Sequence, residues 1–449
     1  MELNKTYKVK ISDYDVMGNG VCHIDNIVVF VIGAMKDEEA IIKIINIHKK
    51  YAFAEVVRIL SPSINRVEPK CKFYGLCGGC DLMHMDYQSE LNIKANKVYQ
   101  TLKRRKDVKF NSIIKSNNIY GYRNKVMVPF HKDSDGDVIY GFYEKKTHKV
   151  IPMDECIISS DIDNKILKLI RGYLSLFNIS IYDEIAHKGL FREVMIRHTK
   201  DNSYMVVLVS TASYDFTRLV EILTAEIKEI KSIYLNINPL KTNVILSNDF
   251  KLLYGDKTIT EDILGIKFEV SPSSFMQVNH DQCEKLYSEA IRMADLQPNM
   301  NVIDAYCGMG SITLNIAKKV NKVYAIEVVS DAINNANKNK ELNNISNATF
   351  ILGKCEEEIT KLVNKEKIDV IFFDPPRKGC DINFLNTVIS MKIPKIVYIS
   401  CNIATASRDI DILEKNGYIL QEVTPVDLFS RTSHVESIAL LTRKEWSHI

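Results

Sequence analysis

The sequence of 449 residues predicts an α/β protein: a C-terminal doubly wound parallel sheet, preceded by a small β-barrel and a mixed α+β region. Three observations carry that expectation. Near the C-terminus six apolar runs read as strands: VIDAYCG, KVYAIEV, ATFILG, DVIFFDPP, KIVYISC and SIALLTR. All but the last are followed by a stretch of helix-forming composition, and strict alternation of β and α implies a parallel sheet with helices on both faces. The first sixty or so residues instead alternate short strand patterns with turn signals, and no long helical period interrupts them. Between the two, helical patterns (NKILKLIRGYLSLF, FTRLVEILTAEIKEI) mix with strand patterns (REVMIRH, SYMVVLVST, SIYLNIN). The chain is too long for one core. Divisions are expected at 1–62, 63–270 and 271–449.

Composition bounds the function. A hydrophobic content of 46% and a charged content of 26% are those of a soluble globular protein. No run approaches the roughly 20 apolar residues of a membrane span. The start, MELNKTYKVKISDYD, lacks the apolar segment of a signal peptide, so a cytoplasmic location with no membrane partner is expected. The net charge of +3 argues neither for nor against nucleic acid. Ten cysteines in a reducing compartment are core residues, metal ligands or catalytic groups rather than a disulfide framework.

Taken in order, YKVKISD, a turn at MGNG, NIVVFVIG and EAIIKIINIHKKYAFAEVVRIL make the barrel, and SPSINRVEP closes it. A block with Cys71, Cys77 and Cys80 follows, then a helix-forming stretch, YQSELNIKANKVYQTLKRRK. Its basic end, Lys103 to Lys106, reads by itself as the solvated end of a helix. With Arg123 and Lys125 it makes a candidate RNA-gripping surface. Strand pieces return between Gly121 and Lys149, with a turn at KDSDGD.

In a doubly wound sheet ligands bind at the carboxyl ends of the strands. The first strand there runs into DAYCGMGS, where Gly308 and Gly310 let a ligand approach the backbone and a helix starts near Ser311. The turn is GxG and lacks the third glycine of the dinucleotide fingerprint, which disfavours a pyrophosphate ligand. The second strand ends at Glu327, nineteen positions after Gly308, where a carboxylate can accept from both ribose hydroxyls. Together these features suit S-adenosylmethionine, which has a ribose and no phosphate. Two prolines in Asp374-Pro375-Pro376-Arg377 fix the backbone leaving the fourth strand. Methyltransferases that act on amino groups usually carry an aromatic residue after such prolines; Arg377 in its place argues against methylation on nitrogen. Cys401 ends KIVYISC, and free cysteine is by default a buried filler.

With SFMQVN (Ser274 to Asn279), DAYCGMGS, DPPRKG, SCN and HVESIALL (His434 to Leu441) in this order, the whole chain resembles the bacterial RNA (uracil-5-)-methyltransferases that act on 23S rRNA. The resemblance implies a Rossmann-like class I methyltransferase domain at the C-terminus and an OB-like TRAM barrel at the N-terminus. It also implies 23S rRNA as partner and a monomeric state. Carbon 5 of uracil is a poor nucleophile, and the family uses covalent catalysis. By residue match Cys401 is the nucleophile and Glu436 the general base. Gln277, Tyr306, Gly308, Ser311, Glu327 and Asp374 surround the cofactor, and Phe275 is a stacking or wedge candidate. Tyr306 stands where Phe is common, and Ile403 where many members have Pro after SCN.

Cys71-x5-Cys77-x2-Cys80 with Cys156 suits four-thiolate binding of zinc or an iron–sulfur cluster. The resemblance implies a [4Fe-4S] cluster on these four residues. A radical enzyme would want a Cx3Cx2C loop, which is absent. A non-catalytic RNA-binding assembly factor would not need both Cys401 and Glu436. A tRNA uracil-5-methyltransferase is the nearer alternative, and the barrel and cysteine block favour rRNA.

Overall fold

The computed structural model describes residues 1–145 and 147–444. The N-terminal strands, from Thr6–Lys10 to Tyr51–Ser61, form a six-stranded sheet. Its core holds small and branched side chains such as Val29, Val31, Ile42 and Ala54. The long run EAIIKIINIHKKYAFAEVVRIL resolves into an antiparallel hairpin, Glu39–Ile47 with Tyr51–Ser61. The central region is a seven-stranded mixed sheet whose middle strands, Phe191–His198 and Tyr204–Ser210, are buried throughout. The helices Asp161–Leu176 and Thr217–Glu226 cover one face.

The C-terminal sheet is built from β1 (Asn301–Ala305), β2 (Lys322–Glu327), β3 (Ala348–Leu352), β4 (Val370–Phe373), β5 (Lys395–Ser400), β6 (Tyr418–Val426) and β7 (Glu436–Arg443). Their order is β3-β2-β1-β4-β5-β7-β6, with Lys109–Phe110 added beside β6. Side chains alternate between two cores, as a sheet covered on both faces requires. Val302, Phe372, Val397 and Ile438 point to one, and Ile303, Phe373, Ile396 and Leu441 to the other.

Two features depart from the expected all-parallel sheet. β7 runs antiparallel between β5 and β6. β6 itself was no part of the expected set: YILQEVTPV interrupts its apolar pattern with Gln421, Glu422 and Pro425 and carries a bulge at Leu420/Glu422. The seam with the central region is also interleaved. Lys109–Phe110 pairs with β6, and the hairpin Ile259–Val270 packs into the core beneath the C-terminal sheet.

That seam is closed by a buried ionic network. The helix Tyr87–Leu102 presents Glu90 and Lys94, both with fully buried side chains, to the segment 427–435 that links β6 to β7. Lys94 Nζ donates to Glu90 Oε1 (2.7 Å), Asp427 Oδ1 (2.6 Å) and the Phe429 carbonyl (3.0 Å). Tyr87 and Ser430 hydroxyls donate to the other Asp427 oxygen, at 2.6 and 2.7 Å. Glu90 in turn accepts from the Arg431 backbone N–H at 2.7 Å. Arg431 has φ of 70°, a left-handed conformation that costs energy for a residue with a Cβ and must be held from outside. The segment 427–435 is thus a strap whose shape depends on another domain.

Lys94→Met leaves two buried carboxylates without their shared cation. It is expected to destabilise the protein by about 3–5 kcal/mol, the range for breaking a buried pair, as read from urea unfolding. A loss below about 1 kcal/mol, the scale of a surface pair, would show that the network is not structural.

Candidate active site

Cys401 lies between the end of β5 and the helix Ile403–Lys415. Asn402 is the N-cap, accepting from the Ala404 N–H at 3.2 Å. Its amide Nδ2 donates to the Arg377 carbonyl (3.1 Å), and the Thr405 hydroxyl donates to the same oxygen (3.3 Å). The thiol loop is therefore tied to the loop after β4. Ile403 takes the first helical position, where proline is common, and is buried in the apolar core on that face of the sheet. That packing anchors the turn in place of a fixed proline φ.

Glu436 opens β7 and is 3% exposed, so it is not an exposed strand-edge acid. Burial pushes its carboxyl well above the usual range; Asp374 adds to the rise and Arg377 opposes it. Asp374, at the tip of β4, is raised to about 7 by burial. Gln277 Nε2 donates to Asp374 Oδ2 at 3.4 Å, while the Gln277 carbonyl accepts from the buried Asn124 amide. The Cys401 thiol is pushed up to about 11 by burial, then by Glu436 and Asp374, with Arg377 pulling down. These interactions place Cys401, Glu436, Asp374, Gln277 and Arg377 in one site at the carboxyl end of the sheet. Arg377 is its cation, a role sequence reasoning missed although the residue lies within DPPRKG. The signal was its position one step beyond the two prolines. The strap residue His434 faces the same cation, and its pKa is lowered by burial, then by Arg377 and Lys97.

A second group gathers around the tips of β1 and β2. Tyr306, Gly308 and Gly310 have φ of 63°, 54° and 83°. A Cβ on Gly308 would meet nothing within 4 Å, so the turn faces open space. The Gly308 N–H donates to Glu327 Oε2 (3.1 Å), and the N–H groups of Val328 and Val329 donate to Oε1 (2.8 and 3.0 Å). Glu327 is thus fixed beside the glycine turn. Tyr306 packs on Phe384 with ring centroids 5.2 Å apart. Ser311 starts the short helix after the turn, and its hydroxyl is 2.8 Å from that of Tyr287. Asp304, raised to about 7 chiefly by burial, bonds the Thr313 hydroxyl beneath the turn. Val328 and Val329 are exposed apolar side chains next to Glu327, which suits contact with a flat heterocycle.

Cys71, Cys77, Cys80 and Cys156 line one cavity of about 40 Å³, with Arg123 and Tyr74 in its wall. Burial pushes the Cys80 thiol up, and the three other thiols add to the rise. Cys77 Sγ accepts from the Gly79 N–H at 3.3 Å. Among the described residues, no three His, Cys, Asp or Glu side chains are grouped as a single metal ion would require. His84 is buried near this block, with Nδ1 bonded to the Tyr74 hydroxyl at 2.5 Å, and does not line the cavity.

The expected basic surface is not a continuous one. Arg105 is turned inward against Asp411 and Glu414 of the helix after Cys401, with Arg104 beside it on Asp411. Their work is to dock one domain on another. Lys125 is lowered to about 8 by burial and the nearby Arg197. Phe275 is 71% exposed, so it is not core packing. Its loop is pinned from below by Arg197, which donates to the Ser271 and Ser274 carbonyls.

A sheet of this order, with a glycine turn after β1 and an acid at the tip of β2, is the Rossmann-like methyltransferase fold. The family model described as tRNA (Uracil-5-)-methyltransferase matches residues 86–444, and that of the TRAM domain matches residues 2–57. The chain belongs to this family of RNA (uracil-5-)-methyltransferases and carries the TRAM domain at its N-terminus. An uncharacterized RNA methyltransferase of Clostridium tetani is 41% identical, over 98% of this chain and 96% of that one. Another, from Clostridium acetobutylicum, is 42% identical over 98% and 97%. The crystal structure of Pyrococcus abyssi tRNA (uracil-54, C5)-methyltransferase in complex with S-adenosyl-L-homocysteine shares the fold. Its TM-score is 0.78 at 24% identity, covering 97% of this chain and 99% of that one. Among the described residues no helix is long and apolar enough to cross a membrane.

The raised thiol has a testable sign. Alkylation of Cys401 by iodoacetamide is expected to rise with pH through a midpoint near 11. Glu436→Gln removes a negative charge that raises the thiol pKa, so it should move the midpoint down. An unmoved or raised midpoint in this variant, judged against Cys401→Ser as background, would separate the two residues.

Proposed function

We propose that the protein transfers a methyl group from S-adenosylmethionine to carbon 5 of a uridine in 23S rRNA, through a covalent bond between Cys401 and carbon 6. The observation that carries this reading is the placement of a rim thiol, two raised carboxyls, a glutamine amide and an arginine in one site. Family membership and the TRAM domain support RNA as the substrate.

Gly308, Glu327, Tyr306 and Ser311 would hold the cofactor, with Glu327 receiving ribose hydroxyls beside the open glycine turn. When bound, the cofactor supplies an electrophilic methyl group next to carbon 5. Cys401 adds as thiolate to carbon 6, which makes carbon 5 electron-rich. After methylation Glu436 takes the proton from carbon 5. The electrons of that C–H bond form the C5–C6 double bond, and the C6–S bond breaks to return the thiolate. Both shifts favour the neutral form, and that defines what the substrate complex must change: the thiol has to lose a proton and Glu436 has to be ionised before it can act as base. Arg377 and the helix start at Ile403 are the positive partners that favour the thiolate. Gln277 and Asp374 offer donor and acceptor groups to the uracil edge. Phe275, exposed on a rigid loop, would stack where the target base leaves its neighbours, at an unstacking cost of a few kcal/mol.

The four cysteines fit a [4Fe-4S] cluster better than zinc. They line one cavity with Arg123 in its wall to offset the charge of clustered thiolates, and they include a single CxxC knuckle where zinc ribbons favour two. Because methyl transfer from a sulfonium is polar, the cluster's part is structural.

Two measurements test this reading. Purified protein is expected to place 5-methyluridine in 23S rRNA transcripts and not in tRNA. The reverse preference would make it a tRNA enzyme, and methylation of neither, with RNA bound, would favour the assembly-factor reading. Anaerobically purified protein should carry iron and sulfide, and Cys77→Ser should lose both while still binding RNA. Stoichiometric zinc in their place would contradict the cluster.

A further inference from the structure

The segment that follows Cys80 is joined to the strap before Glu436, chiefly through Asp81. The backbone N–H groups of Asp81 and Leu82 both donate to the Arg431 carbonyl, at 2.9 and 3.1 Å. Asp81 Oδ2 accepts from the Ser433 N–H (3.1 Å) and from the Ser433 hydroxyl (3.0 Å). The other carboxylate oxygen pairs with Lys145 Nζ at 2.6 Å. Lys145 follows the strand against which the cysteine loop lies, where Gly78 N–H donates to the Tyr143 carbonyl at 3.0 Å. The Ser433 carbonyl is held by Lys97 Nζ at 3.1 Å. Ser433 is thereby fixed through its N–H, its hydroxyl and its carbonyl, just before His434 and three residues before Glu436. Asp81 itself follows Cys80 directly.

We propose that Asp81 is a positioning residue for Glu436: through Ser433 and Arg431 it makes the order of the Cys71–Cys80 loop a condition for correct placement of the base. This rests on the covalent mechanism proposed above. The strap needs such external support because Arg431 sits at a φ of 70°, and Asp81 and Leu82 hold its carbonyl while Glu90, Met85 and Tyr120 hold its N–H and side chain. The step affected is the last one, in which Glu436 takes the carbon-5 proton, the C5–C6 double bond re-forms and the Cys401 thiolate leaves. Addition of Cys401 and methylation do not use the base and should proceed. Asp81 therefore acts on release of the enzyme from its product, not on capture of the RNA.

The test uses Asp81→Ala and the milder Ser433→Ala, which removes one leg of the contact and leaves the cysteine loop's own residues intact. Each is given the uridine RNA that the wild type methylates, with S-adenosylmethionine, and denaturation-resistant protein–RNA conjugate is measured. Both variants are expected to accumulate a methylated conjugate that the wild type does not, with turnover lowered about 10–100-fold, part of what a positioned base supplies. Conjugate with the matching 5-fluorouridine RNA should form as in the wild type, because that trap needs no base. The Cys401 alkylation midpoint, read without RNA or cofactor, should fall as Glu436 withdraws. Turnover unchanged in both variants, or loss of both conjugates together with turnover, would overturn the proposal. Absence of any 5-fluorouridine conjugate in the wild type would instead contradict the covalent mechanism. The midpoint would then decide by itself whether Asp81 holds Glu436: a fall upholds the placement, and no change overturns it.

Discussion

The interaction on which the site depends is the three-way contact of Lys94 with Glu90 and Asp427. All three side chains are fully buried, so the cation cannot leave without stranding two acids in a medium of low dielectric. That cost locks the helix Tyr87–Leu102 to the strap between β6 and β7. The strap starts at Asp427 and delivers Glu436 to the sheet rim facing Cys401. A second tie, from Arg105 to Asp411 and Glu414, joins the same helix end to the helix that follows the thiol. Both groups proposed to do chemistry are thus referenced to one element of the central region.

The electrostatics of the site follow from its depth. Two carboxyls and a thiol share a space with one arginine; burial drives all three toward their neutral forms, and the neighbouring acids add to the rise for Cys401 and Glu436. A neutral thiol is unreactive, so the resting site is protected. Reaction requires added positive charge or added hydrogen-bond donors near the sulfur. Both an approaching sulfonium and a polar uracil edge supply them.

Much of this was legible in the sequence, and the parts that were not share a cause. Glycines at 308 and 310 and prolines at 375 and 376 punctuate strand ends, so the loops that carry ligand groups were visible in local composition. Cys401 and Glu436 stand out through the motifs around them, although Glu436 alone reads as a surface acid. The direction of β7 was not legible, because a strand's local pattern does not encode whether its partner runs parallel. β6 was hidden by its polar residues. The basic run at 103–106 looks solvated in one dimension, but its acidic partners lie about three hundred residues away. The same holds for Tyr87 with Asp427 and for Asp81 with Ser433. Contacts between distant polar residues leave no periodicity to read.

The central claim is that Cys401, and no other of the ten cysteines, bonds to the uracil ring. It is tested most directly by digesting the conjugate formed with 5-fluorouridine RNA and locating the nucleotide by mass spectrometry. The added mass is expected on the tryptic peptide Ile396 to Arg408, at Cys401, with the peptides of Cys71, Cys77, Cys80 and Cys156 unmodified. A nucleotide on any other cysteine, or RNA bound with no adduct at all, would contradict it.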